Sequence, residues 1–385
     1  MNKYDLVIVG SGASGLSAGV SALKSGVKNV LILEKEEVLG GNLNLFINNG
    51  FGEYYLSNLV TGPELGSILI KDYKDLGGEY KVNTRVLEIN RDKIITYVNP
   101  TEGIQEIEAN AIILAAGCRE KYTGNIMIPI HKYTGIFTTG SAHRLVNYSG
   151  YLPGKEVIIM GENMWTLILA RRLVIEGANI KGIVTERKSF NRDELDIVNG
   201  FNIPIIYTSE VIDVEGEERI NLVKVKNLET DEVNSIECDS LILSVGYFPD
   251  NDFIRKMNLM MDGDIIHSEN NLTSVEGVFI TGTMKSGVKE LFNSGANGFK
   301  VGKQVSEYLN NIAHHMEAKK WNIYFPVMVK FSPRIYIIDS IKFAKVFKLK
   351  WDSKFQFCKS NLHIRRKEKV LPFKMKLTLH YRSEE

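Results

Sequence analysis

Three cysteines are all the thiol chemistry in this 385-residue chain, at Cys118, Cys238 and Cys358, and no two form a Cys-x-x-Cys pair. That number and spacing exclude a disulfide framework and a dithiol of that type, and a reducing, cytoplasmic setting is expected. No run of about 18 uncharged apolar residues exists, so no membrane span is expected. The opening MNKYDLVIVG enters a strand directly, and no secretory signal is expected there. His314-His315 has no partnered ligands nearby, so no metal site is expected. Net charge is also scarce, at +1, but unevenly spread: 17 Lys and Arg face 6 Asp and Glu from residue 313 onward, against 30 and 40 before it. A basic tail of this kind could suit nucleic acid. Attraction to the acidic body or to an acidic subunit explains it more simply, and no nucleic-acid partner is expected.

What is present is ordinary for a folded protein, with 44% hydrophobic and 24% charged residues. The length suggests two or three domains. The chain opens with a strand over Tyr4 to Val9, a glycine turn, a helix from about Gly15 to Ser25 and a strand over Asn29 to Leu33. A helix over Pro63 to Leu76 has proline at its start and glycine past its end. A second β-turn-α-β begins at Glu156, about 150 residues after the first, and looks like a duplicated nucleotide-binding fold. A last unit runs from Gly277 through a helix to about Leu309. Beyond it aromatics mix with lysines, and Lys345 to Lys350 alternates like a strand. The expected fold is α/β, with two Rossmann-like, three-layer nucleotide-binding domains and a small β-rich C-terminal appendage.

Gly10-Ser11-Gly12-Ala13-Ser14-Gly15 is a complete G-x-G-x-x-G, and Glu34 ends the next strand 19 residues after Gly15. Gly10 permits the tight turn, Gly12 lets backbone approach a pyrophosphate, and Gly15 allows close helix–strand packing. The helix N-terminus offers free N–H groups and a positive dipole end. Glu34 can accept from both ribose hydroxyls, and its charge would repel a 2′-phosphate.

With Gly40-Gly41-Asn42 following, this stretch resembles the FAD-binding domain of the pyridine-nucleotide-disulfide oxidoreductase superfamily. Ala111 to Gly117 is similar to that superfamily's "ATG" strand, with Ala116 where threonine is usual. Ser240 to Gly246 looks like the strand returning to the FAD domain, and Gly277 to Thr283 like the segment that ends in Gly-Asp, with Thr283 replacing the acid. The resemblance implies FAD as cofactor, held by Gly10, Gly12, Ala13, Ser14, Gly15, Glu34, Lys35, Gly41, Asn42, Val86, Ala115, Ala116, Gly117, Gly282 and Thr283. It implies an FAD-binding domain over 1–118 and 247–311, an NAD(P)-binding-like domain over 119–246, and a basic segment over 312–385. A finer resemblance, carried by Gly40 to Glu64, Ala116 to Glu120 and Thr138 to Glu156, is to bacterial FAD-dependent oxidoreductases. These are related to the alpha subunits of dye-linked proline dehydrogenases and sarcosine or opine oxidases. It implies an electron-transferring subunit of a multi-component dehydrogenase acting on a small amine, amino acid or polyol. Its partners would be that substrate or a second flavoprotein subunit, in an oligomer.

Two departures weaken the implied chemistry. Phe46 to Gly52 lacks the Cys and His of that group, and Lys289 and Glu290 sit where it tends to carry His-Asp. These two are candidates for proton transfer by position only, and the catalytic residues are otherwise unknown. The second turn, Gly161-Glu162-Asn163-Met164-Trp165-Thr166, keeps only its first glycine. Asn163 and Thr166 put side chains where pyrophosphate and helix packing need space, so tight NAD(P) binding is not expected although Glu186 ends the next strand. Two alternatives stand beside the dehydrogenase: an NAD(P)H-dependent flavin reductase, and a catalytically degenerate assembly subunit. Cys118 is read as a buried thiol, and Arg171-Arg172 as a solvated helix face.

Overall fold

The computed structural model describes residues 1–121, 128, 132–288, 292–320, 326–331, 334–339, 365–366 and 369–370. The chain divides into two units, Met1–Asn310 and Asn311–Glu385. The first carries two Rossmann-like sheets, one with a parallel core extended by antiparallel strands and one all parallel. Among the described residues the second unit holds two short antiparallel pairs, Pro326–Phe331 with Arg334–Asp339 and Arg365–Arg366 with Lys369–Val370. The expected strand over Lys345 to Lys350 lies outside the described residues.

The first sheet is built on β1 (Asn2–Val9), which pairs in parallel with β2 (Val30–Leu33) on one side and Gly103–Leu114 on the other. Glu79–Lys81 extends one edge and Val278–Ile280 the other. Leu6 and Ile8 enter one hydrophobic layer, Val7 and Val9 the opposite one. Burial on both faces explains why β1 reads as an unbroken apolar run. The helix α1 (Ala13–Lys24) covers one face and is crossed by the long helix Ser294–Lys320. That crossing is close because Gly298 and Gly302 meet α1 backbone: an added Cβ would fall 2.1 Å from the Ser14 carbonyl oxygen and 2.2 Å from that of Ala18.

The second sheet runs Ile136–Thr138, Ser240–Ser244, Glu156–Gly161, Asn179–Val184 and Ile205–Ile206, all parallel. A three-stranded antiparallel sheet, Ser209–Gly216, Ile220–Asn227 and Val233–Glu237, packs beside it. The chain leaves the first sheet on Cys118–Glu120 and returns on Tyr247–Pro249, and these strands pair antiparallel, Glu120 opposite Tyr247. The helix Thr139–Ser149 was not anticipated; it is more polar overall than the helix after β1 and buries only Thr139, Ala142, His143 and Val146. Thr138 caps it, accepting from the Ser141 N–H. No described helix is long and apolar enough to cross a membrane.

Candidate functional site

The glycine turn after β1 closes on contacts that leave no room for side chains. At Gly10, with φ +100°, a Cβ would lie 2.5 Å from the Ala115 carbonyl oxygen; at Gly15 it would lie 1.9 Å from that of Gly10. Gly12 differs: nothing stands within 4 Å of its Cβ position. It is the N-cap of α1 and provides no side-chain cap, so the first N–H groups of the helix face open space.

Ser11 ties this turn to the end of β2. Its N–H and Oγ donate to Glu34 Oε2 at 2.8 and 2.5 Å, and the Glu36 N–H donates to Glu34 Oε1 at 2.9 Å. Glu34 is thus 4% exposed yet on the cleft wall. A carboxylate has about four acceptor positions, so these three donors leave capacity for a ribose hydroxyl. The Gly40 N–H donates to Ser11 Oγ at 3.1 Å, which brings Gly41 and Asn42 over the turn.

A cleft of about 400 Å³ runs along these groups. Its wall includes Gly10, Gly12, Ala13, Ser14, Glu34, Lys35, Gly41, Asn42, Val86, Ala115, Ala116, Gly117 and Thr283. Gly15 and Gly282 do not line it. Gly15 packs under Gly10, and Gly282 packs on Ser14, whose Oγ would stand 2.2 Å from an added Cβ. Ser11, Thr84, Arg144, Asp250 and Phe46 also line it and were missed in sequence: Ser11 is a variable position inside the glycine signature, and the other four lie outside it. Asp250 accepts from Lys35 at 3.1 Å and pairs with Arg119 at 3.2 Å. Cys118 lies on the same wall, half-buried, its thiol pushed above its ordinary value by burial. Lys289 and Glu290 lie outside the described residues.

The second turn has the same position on its own sheet and the opposite chemistry. Asn163 Oδ1 accepts from the Trp165 and Thr166 N–H groups at 3.0 and 3.3 Å, and its Nδ2 donates to Ser244 Oγ at 2.8 Å. Thr166 is fully buried against Gly161. Trp165 leaves the turn and packs on Phe46 of the first half, ring centroids 4.1 Å apart. Arg187 donates to the Glu162 carbonyl and holds Glu194 with both terminal nitrogens, at 2.8 and 2.9 Å. Glu186 is exposed. The expectation that Arg172 lies on a solvated face is corrected: its Nε donates to Asn147 Oδ1 at 3.2 Å, tying neighbouring helices together.

Two Rossmann-like sheets, one with an open glycine cradle, define a protein of the two-dinucleotide-domain class. The chain belongs to the pyridine nucleotide-disulphide oxidoreductase family, whose model matches residues 4–298. The family is one of FAD-dependent oxidoreductases that use NAD(P)H. A thioredoxin reductase of Borreliella burgdorferi is 27% identical over 321 residues, 79% of this chain and 92% of the relative. The crystal structure of T. acidophilum thioredoxin reductase shares the fold with a TM-score of 0.67 and 24% identity, over 81% of this chain and all of that one. L-proline dehydrogenase from P. horikoshii shares it with a TM-score of 0.58 and 17% identity, over 83% of this chain and 59% of that one. The relatives by sequence are thus mostly thioredoxin reductases, whereas the finer resemblance pointed to alpha subunits of proline dehydrogenases and sarcosine or opine oxidases.

Proposed function

We propose that this chain holds FAD in its first cleft and takes electrons from an organic donor or a partner flavoprotein subunit, not from a nicotinamide at its own second turn. One observation carries the reading. The N–H groups at the start of α1 are uncapped beside an open Gly12, whereas those after Gly161 are taken by the Asn163 side chain. A pyrophosphate needs such donors free.

The cleft residues fit FAD. Gly12 and the N-terminus of α1 would meet the pyrophosphate, and Glu34 would accept from a ribose hydroxyl, with Lys35 and Val86 beside it. Asn42, Ala116, Gly117 and Thr283 would line the path away from the adenosine end. Bound FAD supplies two-electron chemistry; the residues bind it, orient it and restrict water. We assign the substrate to small amines, amino acids or polyols, in line with the fold shared with L-proline dehydrogenase, and the chain to an electron-transferring role in a multi-component dehydrogenase. Thiol–disulfide exchange of the thioredoxin reductase kind is disfavoured, because the sequence holds no Cys-x-x-Cys pair to cycle between dithiol and disulfide, and the described cysteines Cys118 and Cys238 form no disulfide with each other.

The test is a visible spectrum of protein purified without added cofactor, followed by titration with FAD. Two flavin bands, with FAD released on denaturation, are expected. A folded, colourless protein that takes up no FAD overturns the reading.

A further inference from the structure

A second cavity, of about 370 Å³, lies at the seam of the two sheets. It shares Asn42, Phe46, Cys118, Arg144 and Thr283 with the first cleft. Phe46, Leu45, Trp165 and Val288 make it largely apolar. Its cations are already engaged: Arg119 holds Asp250 and Asp252, and Arg144 holds Glu36 at 2.9 Å. No described lining cation is left for a substrate carboxylate or phosphate.

Two groups in it lack an assigned role. Glu120 ends the crossing strand, and both its oxygens accept from the Gly140 N–H, at 2.9 and 3.0 Å. Gly140 permits this approach, since a Cβ there would fall 2.7 Å from Glu120 Oε2. Burial raises the Glu120 carboxyl above its ordinary value even against these bonds. His143 is 3% exposed, and neither ring nitrogen has a hydrogen bond of good geometry. It presents a buried polar wall beside the Trp165 backbone. The other titratable groups around Glu120 are Cys118 and Arg119 on its own strand, Tyr247 opposite, Arg144 on the capped helix, and Asp250.

Building on the FAD reading, we propose that this seam cavity takes a small, largely apolar secondary alcohol or amine without an acidic group, and that Glu120 accepts the proton of its O–H or N–H. The adjacent C–H bond breaks with its electron pair passing to FAD as hydride, the O–H or N–H proton passes to the Glu120 carboxylate, and a C=O or C=N bond forms. A substrate with an anionic group is disfavoured, which narrows the proposed class to its amines and alcohols.

The experiment uses cyclopentanol and pyrrolidine as probes, a ring of one size bearing a hydroxyl or an amine. In a Trp321→Phe/Trp351→Phe protein, Trp165 is the remaining tryptophan. Saturable quenching of its fluorescence by either probe, with or without FAD, is expected. In FAD-loaded Glu120→Gln, which keeps an acceptor for Gly140, quenching should hold within about threefold. Anaerobic bleaching by the bound probe should slow by about 100-fold or more and lose its rise with pH. No saturable quenching by either probe in a protein that holds FAD overturns the cavity assignment and leaves the flavoprotein reading intact. Quenching without bleaching in the unsubstituted holoprotein, or equal bleaching and pH profile in Glu120→Gln, overturns the role of Glu120. Failure to take FAD strikes the earlier reading, not this cavity, because the quenching is read in its absence too.

Discussion

The turn at Gly10–Gly15 and the turn at Gly161–Thr166 stand at matching points of two Rossmann-like sheets, yet one leaves the first N–H groups of its helix open and the other caps them with its own side chain. In the first, the space over Gly12 and the N–H groups of α1 are left open, and the serine between the glycines is spent on Glu34. In the second, Asn163 supplies the acceptor a phosphate would have supplied, and Trp165 is buried in the other half of the protein. A Rossmann turn that loses its ligand still has helix N–H groups to satisfy, and a capping side chain is the simplest remedy.

The largest effect that sharpens this contrast is expected at Gly12. Because its Cβ position is open, Gly12→Asp should fold, with an unchanged Tm in the FAD-free protein. Its charge beside the pyrophosphate should weaken FAD binding by about 100-fold, or about 3 kcal/mol, as read by fluorescence titration. Equal affinity would place the cofactor elsewhere.

A smaller effect concerns the seam that holds the second turn down. His143 lies beneath Phe46 there, and burial pushes it down to about 4. The unfolded chain therefore binds a proton near pH 6.5 that the folded chain refuses until about pH 4. The contribution is full above pH 6.5 and is lost as the pH falls through that window. Urea unfolding of His143→Leu should show a shallower loss between those limits, by up to about 1.4 kcal/mol per pH unit. An unchanged slope would mean that His143 is charged in the folded protein.

The smallest effect is at the cap itself. Asn163→Ala should lower stability by about 1 kcal/mol and leave FAD affinity unchanged. A loss of FAD instead would show that the second turn supports the first cleft.

The sequence revealed the fold well where a pattern is local. The run Leu6 to Val9, the glycines after it and Glu34 form one contiguous signature, and the folded chain brings them together on one cleft. The departures at Asn163 and Thr166 were visible too, as side chains where glycine was expected. What stayed hidden depends on crossing distance. Glu120 acquires its setting only because its strand pairs with Tyr247–Pro249 and reaches the start of the helix at Thr139. Phe46 meets Trp165 across more than a hundred residues. Neither relation has a spacing that can be read along the chain.

The central claim is that one turn binds a dinucleotide and the other does not. The direct measurement is anaerobic addition of NADH, then NADPH, to FAD-loaded protein while its visible spectrum is followed. The flavin bands should persist with both. Rapid bleaching by either would contradict the account, because it would require a nicotinamide to reach the flavin despite the Asn163 cap.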